Sequence, residues 1–306
     1  MLAPIRTSLF ACGYYSDYEE LRFMLFNPDL LENKAWWTFF YNNDVDFMDG
    51  GVFSDDDETL LAREWKNGFK LKASEADIKS GLFGSLPDSL LGSNGFYQEI
   101  QNMEPVREYF DIAHRAEVLS GWASPWETER KEPNTESSEL IDAIQNKLSQ
   151  EKNDLLRKKY AFQLLKLSFY ANDDAFCSET YNQYFQLNKD RSTIDWWAMH
   201  YKSMLLEREE KMDSANYLHA LVFSHASLKM LISKQFFSRK NLDGVLALAQ
   251  NDEERADIYL LAGVTSPGRA AEYIQKVYEL APAHKHLPML VGAFTYMDEI
   301  SCKLKL

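Results

Sequence analysis

The second half of the chain, roughly residues 138–300, repeats one apolar pattern. Apolar side chains recur there at positions i, i+3, i+4 and i+7, which is the spacing that lines one face of an α-helix. Polar turn segments such as 172–174 separate the stripes, which pair off at intervals of roughly 35–40 residues. A helical hairpin that cannot bury both faces alone must stack on its neighbours. The pattern therefore predicts an all-α fold in which antiparallel helical hairpins stack as an α-solenoid.

Composition suggests how the chain is divided. Residues 1–120 are acidic and rich in aromatic side chains, whereas residues 121–138 hold Pro, Ser, Thr and many charges. Ser74 and Asn251 each stand three residues before an acid, a pattern typical of helix N-termini. We expect a helical, aromatic and acidic N-terminal region at 1–120, a linker at 121–138 and a helical repeat domain at 139–306.

The charge distribution argues against a nucleic-acid partner. The chain of 306 residues carries a net charge of −14, and residues 1–135 hold 24 acidic against 12 basic side chains. Nucleic-acid binding needs a basic surface that displaces counterions, and no stretch of this sequence supplies one. We therefore expect a protein or peptide partner, no nucleic acid and no cofactor.

Cys12 leaves two interpretations open. It lies in Leu9-Phe10-Ala11-Cys12-Gly13, which resembles the lipobox of bacterial lipoproteins, where lipid is attached to the cysteine thiol. The apolar segment before it is short for a signal peptide. The chain is thus either a lipoprotein of the periplasm or outer membrane, in contact with the membrane only through this anchor, or a cytoplasmic protein. Cys177 lies in an apolar helix and is expected to be a small core residue.

Several segments resemble a known family. They are Lys159–Leu165, Leu246–Ala256 and Val277–Pro282, with Ala11–Gly13 and Arg22–Pro28 near the start. Residues 157–290 resemble the tetratricopeptide-like (TPR-like) helical domain of a large exported protein family from Gram-negative bacteria, whose function is uncharacterised. The resemblance implies a TPR-like solenoid in the cell envelope. The chain departs from the family pattern at 293–306, which suggests a truncated form that could self-associate through an open C-terminal edge.

One acidic cluster supports an alternative function. Asp44, Asp46 and Asp49 precede Gly50 at spacings that suggest a calcium loop, but Met48 occupies a position where an EF-hand requires an oxygen ligand. A solvated acidic loop without a metal is the simpler interpretation. The alternative is a carbohydrate-binding or cell-wall-acting enzyme that uses these carboxylates, with aromatic residues as sugar platforms.

Other catalytic signals are missing from the sequence. His219, His225, His284 and His286 fit no H-E-x-x-H pattern, and neither G-x-S-x-G nor a phosphate-binding glycine loop occurs. His225 lies on an apolar stripe and is expected to be an interface histidine. We therefore predict no catalytic residue, no metal ligand and no enzymatic activity.

The sequence as a whole favours a non-enzymatic protein–protein interaction or scaffold module of the bacterial envelope. Such a module would bind a protein or peptide through exposed side chains on the inner helices of the solenoid. Face alternation on those helices gives five candidate partner-binding residues, which are Gln163, Lys166, Trp196, His200 and Lys202.

Overall fold

The protein is all-helical throughout the part of the chain that the structure describes. A computed structural model describes residues 55–84, 92–120, 135–187 and 190–303, and no strand occurs in these ranges. The α-helices of these ranges are α1 Asp55–Phe69, α2 Glu75–Phe83, α3 Gly95–Ile100, α4 Glu104–Ser120, α5 Thr135–Gln150, α6 Asp154–Tyr170, α7 Asp174–Tyr184, α8 Thr193–Arg208, α9 Met212–His225, α10 Met230–Phe236, α11 Leu242–Leu246, α12 Asp252–Val264, α13 Ala270–Leu280 and α14 Leu287–Lys303. Short 3₁₀ turns occur at Ser227–Lys229 and Pro267–Arg269. The prediction of an all-α fold is confirmed.

Short turns join these helices into hairpins. Segments 70–74, 171–173, 209–211 and 265–269 connect α1 to α2, α6 to α7, α8 to α9 and α12 to α13, and the two helices of each pair contact each other. Helices further apart in the chain also pack together, since α6 contacts α8 and α9 contacts α12.

Side-chain caps fix where several helices begin. The Ser74 hydroxyl accepts a hydrogen bond from the Asp77 N–H at 3.0 Å, which begins α2 as the sequence predicts. The Asn251 side chain accepts from the Glu254 N–H at 2.9 Å and begins α12 in the same way. Each cap satisfies a backbone donor that has no partner within the helix, which stabilises a helix by about 1 kcal/mol.

Three hairpins turn through a residue with left-handed backbone geometry that is not glycine. Lys70, Asn172 and Glu210 have φ angles of 55°, 59° and 59°, and each lies one or two residues after the end of the first helix of its hairpin, α1, α6 or α8. After Glu210 the Lys211 N–H reaches back to the Leu206 carbonyl at 2.8 Å, which closes the helix end. A residue with a Cβ atom pays about 1–2 kcal/mol for this conformation.

Replacing Glu210 with Gly should therefore raise the free energy of unfolding. We expect Glu210→Gly to stabilise the protein by about 0.5–1 kcal/mol, because the relief of backbone strain exceeds the entropy that glycine adds to the unfolded chain. Urea unfolding monitored by circular dichroism measures this difference. Glu209→Gly is the matched control, since Glu209 has a φ of −83° and gains no relief. The interpretation fails if both variants are destabilised equally.

The buried apolar side chains form two clusters that meet at α9. The first extends from Leu61 to Ala226 and the second from Ala220 to Leu290. Helices on both sides of the predicted linker at 121–138 contribute to the first cluster, so the change of core does not coincide with that linker. Helix α5 begins at Thr135, so residues 135–138 are helical and not part of a linker.

A buried carboxylate joins the first described helix to a turn far along the chain. Asp57, in the first turn of α1, is 1% exposed. Its carboxylate accepts hydrogen bonds from the Ser227 N–H at 2.9 Å, the Leu228 N–H at 3.2 Å and Trp197 Nε1 at 2.7 Å. In return, the Asp57 N–H donates to the Ser227 hydroxyl at 3.2 Å. We call this set of four bonds the Asp57 clasp, and it caps two helical segments reciprocally.

Candidate functional site

A carboxylate and three histidines hold the loop at 281–286 against α9 and α12. Asp257 on α12 is 1% exposed and accepts a hydrogen bond from His284 Nε2 at 2.9 Å. Its other oxygen lies 3.5 Å from Nε2 of His225, which is the last residue of α9. The His225 ring stacks on Trp196 of α8, with ring centroids 4.2 Å apart.

The third histidine completes this arrangement. His286 Nε2 donates to the Ser224 carbonyl at 2.9 Å, and the His286 backbone N–H donates to His284 Nδ1 at 3.2 Å. Both ring nitrogens of His284 are therefore engaged, one as donor and one as acceptor. We call Trp196, His225, Asp257, His284 and His286 the histidine network, and its hydrogen bonds position the loop.

Burial sets the charge state of the network. Burial lowers the pKa of His286 to about 3, and the positive charge of Lys285 acts in the same direction. Burial alone would raise the pKa of Asp257, but the nearby His225 imidazole and the hydrogen bond from His284 hold it below its ordinary value. Near neutral pH the network consequently contains an ionised carboxylate and an uncharged His286.

An apolar groove lies beside the network. It has a volume of about 660 Å³ and runs between the loop and the first turns of α14. Its lining includes Pro282, His284, Leu287, Pro288, Val291 and Thr295. Because His284 forms part of the wall, the Asp257–His284 bond fixes one side of the groove.

The structure buries three of the five predicted partner-binding residues. Gln163, Lys166 and His200 are 7%, 7% and 5% exposed, so the expectation that they are exposed is wrong. Gln163 donates to the Tyr109 hydroxyl at 3.0 Å, and Lys166 pairs with Glu117 at 2.7 Å. Both partners lie on α4, which covers this face of α6.

The other two predicted residues are partly buried and lie in different surroundings. Trp196 belongs to the histidine network, and Lys202 donates to the Ser178 hydroxyl of α7 at 2.8 Å. The five residues therefore form no single exposed surface in this chain. Their role in partner binding stays a prediction.

Sequence reasoning missed several buried charged side chains. Lys159 on α6 is fully buried, pairs with Glu64 of α1 at 2.9 Å and lies 4.9 Å from the Trp65 ring centroid. Burial lowers the pKa of Lys159. A charged residue between apolar neighbours is one sequence signal of a buried charge, as at Asp257, which stands between Ala256 and Ile258. Charged side chains are buried mainly when they are paired, so such a residue indicates a buried pair.

Some sequence predictions lie outside the described residues. These are Cys12, Asp44, Asp46 and Asp49, so the lipid anchor and the acidic enzyme site stay predictions. Cys177 is buried as expected, and burial raises the pKa of its thiol to about 12. In the described ranges, no group of three or more His, Cys, Asp or Glu is arranged to hold a metal ion. No helix of those ranges has the length and apolarity needed to span a membrane.

Comparison with known proteins does not extend this description. No family model, curated protein or solved structure matches the chain. The class that the fold itself defines is an all-α protein built from helical hairpins.

Proposed function

We propose that this protein is a non-enzymatic interaction module in which TPR-like hairpins stack and present a binding surface to a protein or peptide. Support comes from the hairpin pairing of α6–α7, α8–α9 and α12–α13, together with the contacts between α6 and α8 and between α9 and α12. Arrays of this kind create extended surfaces that bind partners by shape.

The apolar groove is the observation that carries the proposal. Leu287, Pro288 and Val291 line it, and Val291 is 41% exposed. Apolar side chains in a concave surface favour an occupant that brings apolar side chains of its own. The histidine network fixes one wall of the groove, which lowers the ordering cost of binding.

The occupant that best fits the groove is the apolar face of an amphipathic helix from a partner protein. Pro282 and Pro288 have no backbone N–H, so the groove has few donors for an extended peptide that would bind through its main chain. A helix satisfies its own backbone hydrogen bonds and needs only apolar contacts at i, i+3 and i+4.

The location of the module is a separate part of the proposal and depends on the sequence alone. The leader around Cys12 favours a lipid anchor in the periplasm or outer membrane.

A designed peptide can test the groove directly. We expect a fluorescent 18-residue helix with one Leu face to bind more tightly than a peptide of the same composition in scrambled order, because only the first presents an apolar stripe. Val291→Glu should weaken this binding at least about tenfold, because it places a charge in the apolar groove. Fluorescence anisotropy measures both affinities.

Val118→Glu is the matched control, because Val118 is 72% exposed on α4 and does not line the groove. It should leave the affinity unchanged, and both variants should keep the wild-type melting temperature. Equal binding of the two peptides, or equal effects of the two substitutions, would contradict the proposed binding mode.

A further inference from the structure

A second pocket, of about 540 Å³, shares no lining residue with the groove. It lies between the loop at 237–241 and the turn at 265–269. Arg239, Lys240 and Arg269 line it, and its lining includes no acidic residue. Three cations around one cavity are unexpected in a chain whose net charge is −14.

Few acidic side chains neutralise these cations. In the described part of the chain Arg239 and Lys240 form no ion pair, and Arg239 donates instead to the Ser266 hydroxyl across the pocket. Arg269 pairs with Glu272 at 2.9 Å, but both side chains are more than half exposed, at 59% and 52%. This pair is bidentate, because the Arg269 guanidinium donates to both Glu272 oxygens, so Glu272 offsets the charge of Arg269 and the excess comes from Arg239 and Lys240. The pocket thus carries an excess of positive charge.

The loop that holds Arg239 and Lys240 is anchored at both ends. The Ser238 N–H donates to the side-chain oxygen of Asn216 at 2.8 Å, and Asn216 is 2% exposed. Asn241 donates to Asp213 at 2.7 Å. On the opposite wall the Arg269 guanidinium lies 5.3 Å from the Tyr273 ring centroid. The backbone that carries Arg239 and Lys240 is therefore held in place before any ligand arrives, which favours binding.

We propose that this pocket binds a phosphate group, either free phosphate or the phosphate of a small phosphomonoester. Guanidinium groups donate two parallel hydrogen bonds to phosphate oxygens, and a lysine adds a point charge. The pocket volume lies in the range of small-molecule sites. Phe237 and Tyr273 are 8% and 2% exposed, so they offer no open ring face on which a nucleobase could stack. The proposal is independent of the groove and of its helical occupant.

Ligand titration followed by NMR chemical-shift changes tests this site on the full chain. We expect saturable binding of inorganic phosphate and glucose 6-phosphate, while potassium chloride at equal ionic strength causes no such saturation. Arg239→Gln and Lys240→Gln should each weaken phosphate binding at least about tenfold, because each removes a charged donor. Arg255→Gln is the matched control, since Arg255 is an exposed arginine paired with Asp252 outside the pocket.

The two ligands distinguish the source of the phosphate. Equal affinities support a site for phosphate alone, and tighter binding of the sugar phosphate supports a phosphomonoester site. The proposal is overturned if neither ligand saturates below about 10 mM. It is also overturned if Arg255→Gln weakens binding as much as the two pocket variants do.

Discussion

Acidification from pH 7 to pH 5 should lower the free energy of unfolding by about 2 kcal/mol through the buried His286, and by a further amount through the buried His200. Burial lowers the pKa of His286 to about 3 and that of His200 well below its ordinary value, with Lys229 and His219 adding to the effect at His200. Below about pH 6.5 the unfolded chain binds a proton at each histidine and the folded protein does not. The stability that the two uncharged histidines contribute is complete above their pKa in the unfolded chain. It is lost as pH falls toward their pKa values in the folded protein.

Urea unfolding at half-unit steps of pH measures how the free energy of unfolding depends on pH. His286→Gln and His200→Gln should each reduce the slope of the free energy of unfolding against pH by the equivalent of about one proton. This holds whatever each substitution does to the absolute stability. His114→Gln is the control, because His114 is exposed on α4, and it should leave the slope unchanged. Asp257 does not interfere, since a lowered carboxyl pKa removes stability only at lower pH. An unchanged slope in His286→Gln would show that this histidine is protonated in the folded protein.

Replacing Asp57 with Asn should lower the free energy of unfolding by about 3 kcal/mol. The buried carboxylate accepts from two backbone N–H groups and one indole, and an amide of the same size offers one uncharged acceptor oxygen. The variant thus leaves buried donors without a full partner. Urea unfolding at pH 7 measures the loss.

Two further variants make this result specific to the clasp. Asp154→Asn changes an acid in the first turn of α6 whose side chain is 96% exposed, and should stay within about 0.5 kcal/mol of wild type. Trp197→Phe removes the indole donor, and a double-mutant cycle with Asp57→Asn should give a coupling of about 1 kcal/mol or more. If Asp57→Asn costs no more than Asp154→Asn, the clasp contributes nothing to stability.

Local physical chemistry explains why the helices were predictable. The caps at Ser74 and Asn251 depend on residues three positions apart, and both occur where the sequence indicates. Apolar spacing likewise predicted the helices around Tyr160 and Tyr201, because that spacing is a property of each helix alone.

Which helix faces pack against each other could not be predicted from local sequence in the same way. Residues 159–169 of α6 are all buried, so the apolar pattern of this stretch gives no preferred outer face, and the sequence wrongly predicts Gln163 and Lys166 to be exposed. Their burial depends on Tyr109 and Glu117 of α4, which only the tertiary fold brings to them. The histidine network likewise joins four separate segments, which are α8, α9, α12 and the loop at 281–286, and a single sequence records none of these pairings.

The Asp57 clasp has a consequence for the order of events during synthesis. Its two halves are separated by 170 residues, so α1 leaves the ribosome long before its partner turn exists. Synthesis proceeds at about 5–20 residues per second, so Ser227 is added on the order of 10–30 s after the start of α1. During this interval the α1 N-terminus lacks the cap that completes it. Closure of the first core is therefore a late event that depends on translation reaching the far side of α9.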